Sequence, residues 1–152
     1  MKKYTLIAIA AALLLVLAGC DNALHNLGAA PPEGVDAEFD GIKIYVAEDT
    51  GYTSTWWATP NYDNAEAGNS PDPDVDWPGD AEKFRDSEQA DGWKVFEIEA
   101  EDLVDDSLDI IFNDGEPGSG DGGTVDDQTD DLEVRELGVF WYNEAEGEIQ
   151  DL

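Results

Sequence analysis

Apolar and polar residues alternate along several short segments of the chain. The first runs from Ile42 to Ala47, where Ile42, Ile44 and Val46 are separated by single residues of other types. A period of two places successive side chains on opposite faces, so this segment is predicted to be a half-buried strand. Alternation, or enrichment in β-branched and aromatic residues, also predicts strands at 53–59, 93–98, 108–113 and 137–142, and shorter ones at 83–85 and 133–135.

Turn-forming residues separate these segments. Pro60 ends the second one, and Asp91-Gly92 is a hairpin signal before the strand at 93–98. No segment after residue 38 keeps a long helical period. The pattern therefore predicts an all-β fold, an antiparallel β-sandwich of the immunoglobulin-like type. The predicted core consists of Ile42, Ile44, Val46, Phe96, Ile98, Leu108, Ile110, Phe112 and Val139.

Two adjacent tryptophans, Trp56 and Trp57, lie in the second predicted strand. Because successive side chains of a strand point to opposite faces, the two rings cannot both belong to the core. One of them is expected to face outward. The sequence leaves open which one it is.

The first 20 residues form a separate segment. Lys2 and Lys3 precede an apolar run that ends in Leu17-Ala18-Gly19-Cys20. This order resembles a bacterial lipoprotein signal, in which residues 1–19 are removed and the thiol of Cys20 is acylated. The alternatives are an ordinary signal peptide, or an uncleaved anchor, with an incidental Cys20. We therefore predict a protein of the cell envelope that is lipid-anchored to a membrane and faces the periplasm or the cell surface.

The rest of the chain divides by composition. Residues 20–38 show no sustained period and are predicted to be the lipidated cysteine and a flexible tether, in which the lone His25 has no role. Residues 39–142 are predicted to form the sandwich domain. The acidic tail 143–152 is expected to be loose.

The charge of the chain limits its partners. There are 37 acidic and 7 basic residues, for a formal net charge of −30. Such a field repels nucleic acid and anionic lipid head groups, so membrane association is expected through the lipid alone. With Cys20 lipidated, no disulfide is expected, and the domain has neither Cys nor His for a zinc site.

Carboxylates alone do not indicate a reaction or a metal. Asp72-x-Asp74-x-Asp76 imitates the start of a calcium loop, but Trp77 and Lys83 stand where that loop has Gly and Glu. A structural calcium ion stays open as an alternative, and no cofactor is predicted. Carboxylate pairs suited to glycoside hydrolysis arise by chance in so acidic a chain. Triad chemistry needs a His or Lys base, but the domain has no His, and Lys43, Lys83 and Lys94 lie in ordinary strand or edge positions, so we predict that the protein is not an enzyme.

The five tryptophans exceed what the core of so small a domain needs. Large aromatic rings that face water usually mark a binding surface. The apolar C–H face of a sugar can lie flat on an indole, so a neutral sugar chain is the expected ligand. The alternative is that Trp77 and Trp93 close the edge of the sandwich.

Several motifs stand in an order typical of one family. They are the strand 42–47, the aromatic second strand, Trp77-Pro78-Gly79, Asp91-Gly92-Trp93, Ile110-Ile111-Phe112-Asn113-Asp114-Gly115, Gln128-Thr129-x-Asp131-Leu132 and Trp141-Tyr142. Together they resemble the starch-binding carbohydrate-binding modules of family 26 and the related family 25. The resemblance covers about residues 42–142.

This resemblance implies a non-catalytic β-sandwich that binds α-1,4-linked glucans. It implies that Trp57, or Trp56, forms a sugar platform with Trp77. The second strand lacks the Tyr-rich alternation usual in the family, and Tyr62 is the candidate to replace the missing ring. The loop 61–76 is longer than the family pattern.

Two polar residues complete the candidate site. By the same resemblance, Asn113 and Gln128 lie in turns, with a mainly structural role and hydrogen bonds to the rim of the ligand. The expected partner is thus an α-glucan or another polysaccharide, and the oligomeric state is left open. The alternatives are a structural or protein-interaction lipoprotein built on the same sandwich, and calcium-dependent adhesion.

Overall fold

The computed structural model describes residues 30–59, 77–79, 83–103, 105–116 and 124–152. Within these ranges the chain forms eight strands, and 3-10 turns at Glu48–Thr50 and Ala100–Asp102 follow the first and the fourth. The strands are β1 (Gly41–Ala47), β2 (Ser54–Ala58), β3 (Phe84–Asp86), β4 (Trp93–Glu99), β5 (Leu108–Asn113), β6 (Leu132–Val134), β7 (Gly138–Asn143) and β8 (Glu148–Asp151).

The strands form two sheets. The five-stranded sheet has the order β3-β4-β1-β7-β8, and the three-stranded sheet has the order β2-β5-β6. The predicted all-β sandwich is confirmed, and β1 to β7 occupy the predicted segments, whereas β8 lies in the segment predicted to be a loose tail. One pair departs from a purely antiparallel arrangement, because β1 runs parallel to β7 while it pairs antiparallel with β4.

The main core lies between the two sheets. Alternate residues of β1, β4 and β7 pack against the inner faces of β2, β5 and β6. Aromatic rings contact one another across this interface. The ring centroids of Phe84 and Phe112 are 5.3 Å apart, and those of Trp57 and Phe96 are 6.3 Å apart in an edge-on arrangement. Every predicted core residue is buried, and all but Val139 belong to this cluster.

A second apolar cluster covers the outer face of the five-stranded sheet. Its buried members are Tyr45, Ala47, Ala90, Trp93, Val95, Val139 and Trp141. The predicted core residue Val139 is thus buried in this second cluster and not in the cluster between the sheets. Val139 and Phe140 are neighbours in β7, so their side chains point to opposite faces of the sheet. Both faces of β7 are covered, so both side chains are buried.

The segment before β1 packs on this second cluster. Val35 and Phe39 contact it, and the Gln89 side chain donates a hydrogen bond to Asp36 over 3.1 Å. The Tyr45 hydroxyl donates to the same Gln89 side chain over 3.0 Å. Within residues 30–38, which are predicted to belong to the flexible tether, Val35 thus packs on the second cluster and Asp36 is hydrogen-bonded to Gln89.

The C-terminal residues are ordered as a strand. The acidic composition predicts a loose tail, whereas β8 pairs antiparallel with β7 from Asn143↔Glu148 to Phe140↔Asp151. Ile149 packs against the main core, and the Leu152 amide donates a hydrogen bond to the Val139 carbonyl. The expectation of a loose tail is corrected by this pairing.

Membrane crossing by a helix finds no support in the described ranges, where no helix has the length and apolarity that it requires. The predicted signal segment and Cys20 lie outside those ranges.

Candidate functional site

The outer face of the three-stranded sheet carries Trp56. In β2, Thr55 and Trp57 point into the sandwich, so Ser54, Trp56 and Ala58 point outward. Trp56 is partly exposed and lies opposite Ile111 of β5. The expectation that one of the two adjacent rings faces outward is thus met by Trp56. Trp57 is only 5% exposed, which removes it from any exposed platform.

The Trp77-Pro78-Gly79 turn is fastened to the same face. The Pro78 carbonyl oxygen accepts a hydrogen bond from Ser54 Oγ at 3.2 Å and another from Asn113 Nδ2 at 2.8 Å. Ser54 and Asn113 are cross-strand partners in β2 and β5, and both are fully buried. The Asn113 Oδ1 atom accepts a third bond, from the Gly115 amide at 2.9 Å.

Two glycines allow the turn to approach the sheet this closely. A Cβ atom at Gly79, whose φ is +116°, would overlap the Thr55 carbonyl oxygen and reach the Trp56 amide nitrogen. A Cβ atom at Gly115 would come within 2.7 Å of the Pro78 ring. Both positions need glycine because the backbone of the turn lies directly on the sheet. The Trp77-Pro78 peptide bond is cis.

These contacts place the turn that carries Trp77 on the sheet face that carries Trp56. Gly79 lies against the peptide that joins Thr55 to Trp56, and Trp77 is two residues away from Gly79. Trp77, like Trp56, is partly exposed. We call the surface made by Trp56, Ile111 and the turn 77–79 the indole face.

The other residues of the predicted site fall in different places. Asn113 is fully buried, so its side chain fastens the turn and is withdrawn from the rim where the sequence analysis also expects it. Gln128 is exposed and forms an isolated β-bridge with Asn113, which places it at the Asn113 end of the same sheet. Tyr62 lies outside the described residues.

The remaining tryptophans face away from this surface. Trp93 and Trp141 are each 4% exposed and belong to the second apolar cluster, on the other sheet. Trp93 is therefore buried, but on the outer face of the five-stranded sheet and not at the edge of the sandwich, where the alternative expected it. Trp77 is held in a turn on the sheet and still keeps part of its ring accessible.

One group of charged residues on the indole-face side was not singled out by sequence reasoning. Asp109 of β5 and Glu133 of β6 are cross-strand partners, and both hold Arg135. Their position could have been found from the alternation in β5, since Asp109 precedes Ile111 by two residues. The other described basic side chains, Lys43, Lys83, Arg85 and Lys94, belong to the side of the five-stranded sheet.

The strongest ion-pair group lies on that opposite sheet. Lys43 Nζ is 2.8 Å from Glu97 Oε1, and Arg85 pairs with the other oxygen of Glu97. Burial raises the pKa of Glu97, but the hydrogen bonds and charges of Lys43 and Arg85 outweigh it and lower the pKa below its ordinary value. These residues bind one another and lie away from the indole face.

Clusters of metal ligands and buried tyrosines are the features of the described ranges that bear on metal and acid–base chemistry. No group of three or more His, Cys, Asp or Glu residues there could hold a metal ion. Asp72, Asp74 and Asp76 lie outside the described residues. Burial raises the pKa of the Tyr52 and Tyr142 phenols, so both remain neutral hydroxyl groups between the two sheets. The arrangement is suited to stacking and hydrogen bonding.

Comparison of the chain with protein-family models, with curated proteins and with solved structures yields no match.

Proposed function

We propose that the protein is a lipid-anchored, non-catalytic binder of starch-type α-glucan at the cell envelope. The indole face is the binding surface, with Trp56 and Trp77 as the stacking rings. Cys20 carries the lipid that holds the protein on its membrane. The ordered motifs that resemble starch-binding modules suggest the class of ligand.

A single observation supports this proposal above the others. The turn that carries Trp77 is fastened by Ser54, Asn113, Gly79 and Gly115 onto the sheet face that also carries Trp56. Two partly exposed indoles on one rigid face can meet successive units of a sugar chain without a large ordering cost. Neutral hydroxylated ligands also avoid the repulsion that the charge of −30 imposes on anions.

The expected affinity is low. Covering one face of a fully exposed indole removes roughly 100 Å² from water, worth about 2.5 kcal/mol at 25 cal/mol/Å². Because both rings are already partly covered, about 1–2 kcal/mol per ring is a better figure. Two rings together supply about 2–4 kcal/mol, which does not exceed the cost of association, so hydrogen bonds to the ligand must contribute and the complex is weak. Many copies on one membrane would strengthen binding through avidity.

The test is affinity electrophoresis of the folded protein in gels that contain soluble starch. Wild type should be retarded, and Trp56→Ala and Trp77→Ala should each bind about 5–30-fold more weakly, from the loss of about 1–2 kcal/mol. The matched control is Leu137→Ala, which removes an exposed apolar side chain from the loop before β7. Equal mobility of wild type with and without starch would contradict the proposal.

A protein-interaction role for the same face is the second candidate, because both rings are only partly exposed. Tryptophan fluorescence separates the two. Trp57, Trp93 and Trp141 are at most 5% exposed, so acrylamide quenching reports mainly Trp56 and Trp77. Protection from acrylamide by maltoheptaose favours the sugar, whereas unchanged quenching with maltoheptaose favours a protein partner.

A further inference from the structure

The outer face of the three-stranded sheet continues beyond the two indoles. Trp56 lies opposite Ile111, and the next outward-facing pair along the two strands is Ala58 and Asp109. Asp109 is therefore a diagonal neighbour of Trp56. Diagonal residues of an antiparallel pair are about 7–8 Å apart in the backbone, within reach of long side chains. Ala58 has only a methyl group, so no long side chain of β2 stands between them.

A guanidinium group is fixed beside this carboxylate. Arg135 Nη1 lies 2.8 Å from Asp109 Oδ1, and Arg135 Nη2 lies 2.9 Å from Glu133 Oε2. The Arg135 side chain remains 46% exposed, and that of Asp109 remains 35% exposed. The group is thus held in a fixed orientation while part of it stays in contact with water.

The chemistry of this pair suits neighbouring hydroxyl groups. A sugar hydroxyl both donates and accepts, a carboxylate only accepts, and a guanidinium only donates through its five N–H bonds. Burial lowers the pKa of Arg135, but the hydrogen bond to Asp109 and the charges of Asp109 and Glu133 raise it overall, so the donor stays charged. The cation also offsets the negative charge of Asp109.

The two ends of the outer face therefore differ. The end at Ser54 and Asn113 is covered by the Trp77-Pro78-Gly79 turn, and the end at Ala58 holds the Asp109–Arg135 pair. A ligand stacked on Trp56 has the apolar turn on one side and the ion pair on the other.

We propose that Asp109 and Arg135 are ligand-binding residues that hydrogen-bond the hydroxyl groups of a glucan unit stacked on Trp56, with Glu133 fixing the guanidinium. This inference rests on the proposed function, and it assigns the pair as the polar part of the same site. It also gives the site a direction, because among the described residues this ion pair lies at the Ala58 end of the indole face and the turn lies at the Ser54 end.

Titration calorimetry with maltoheptaose tests the pair. Asp109→Ala and Arg135→Ala should each lower the affinity about 5–10-fold, the order expected for partly exposed charge-assisted hydrogen bonds. The double variant should lose much less than the product of the two single losses, because the two side chains act as one unit. Asp109→Asn keeps the volume and one acceptor, so it should lose less than Asp109→Ala.

The control is Arg85→Ala, which removes an exposed, ion-paired arginine from the five-stranded sheet and should leave the affinity unchanged. Acrylamide quenching of the free variants should match wild type, which shows that Trp56 and Trp77 have kept their positions. Wild-type affinity in Arg135→Ala and Asp109→Ala, together with a loss in Trp56→Ala, overturns this inference and leaves the proposed function intact. Absence of maltoheptaose and starch binding in wild type overturns both.

Discussion

At the scale of single residues, Asn113 links the sheet to the turn that carries Trp77. Its amide is fully buried and uses both ends, donating to the Pro78 carbonyl and accepting from the Gly115 amide. A buried asparagine with both groups satisfied can lose a partner only at the cost of an unpaired polar group. Asn113 therefore controls the position of Trp77 without touching solvent.

Replacing Asn113 by Ala should lower both stability and glucan binding. The Pro78 carbonyl keeps its bond from Ser54, but the Gly115 amide loses its acceptor, so we expect a loss of about 1–3 kcal/mol in the free energy of unfolding. Urea denaturation measures that loss, and starch affinity electrophoresis measures the displacement of Trp77.

Ser54→Ala is the matched control for this variant. It removes one of the two donors to the Pro78 carbonyl and leaves every Asn113 bond in place, so its loss of stability should be smaller, about 0.5–1.5 kcal/mol. Equal losses for the two variants would contradict a central role for Asn113.

The sequence could predict that one of Trp56 and Trp57 faces outward, but it could not select between them. Both faces of β2 carry residues that suit either environment, with Thr55 and Thr59 on one side and Ser54 and Ala58 on the other. The choice follows from pairing with β5, where Trp57 lies opposite Ile110 of the core. Such a register depends on a distant segment and cannot be read from β2 alone.

At the scale of whole elements, β8 shows what the alternation rule misses. Its sequence Glu148-Ile149-Gln150-Asp151 has a single apolar residue, so it lacks the repeated pattern that predicts a strand. Charged residues on an edge strand discourage pairing with other molecules. In β8 they also remove the alternation of apolar and polar residues from which a strand is predicted. The strand is held by its pairing with β7 and by Ile149.

Ile149→Ala should therefore destabilise the domain. Ile149 is half-buried against the main core, so we expect a loss of about 1–2 kcal/mol, below the 2–5 kcal/mol typical of a fully buried isoleucine. Thermal denaturation followed by circular dichroism measures it. Glu148→Ala, an exposed change in the same strand, should stay within about 0.5 kcal/mol of wild type. Equal stability of Ile149→Ala and wild type would restore the interpretation of a loose tail.

At the scale of the whole molecule, the two sheets have different outer surfaces. The outer face of the five-stranded sheet is covered by Val35 and Phe39 from the segment before β1 and by Leu152, which follows β8. The three-stranded sheet is covered on its outer face by the 77–79 turn and keeps partly exposed rings. In the described ranges, the partly exposed indoles therefore belong to the side of the three-stranded sheet. The segment before β1 packs on the opposite, five-stranded sheet.

The net charge of −30 acts on the whole molecule, and it gives a test that separates general screening from a specific calcium site. Like charges on a compact domain repel one another, and salt shortens the range of that repulsion from about 30 Å at 0.01 M to about 4 Å at 0.5 M. Raising NaCl over this range should therefore increase the melting temperature by about 4 °C or more, which corresponds to roughly 1 kcal/mol.

Divalent ions provide the matched comparison. Ions of equal valence screen charge equally, so under simple screening calcium and magnesium chloride at equal concentration should raise the melting temperature equally. A chelator should then lower it by the same amount whichever ion was added. A rise with calcium that magnesium does not reproduce would contradict simple screening and would favour calcium-dependent adhesion. Equal rises in the melting temperature with the two ions support simple screening. Maltoheptaose should then raise the melting temperature of wild type further, and raise that of Trp56→Ala less, because a bound ligand stabilises the folded state.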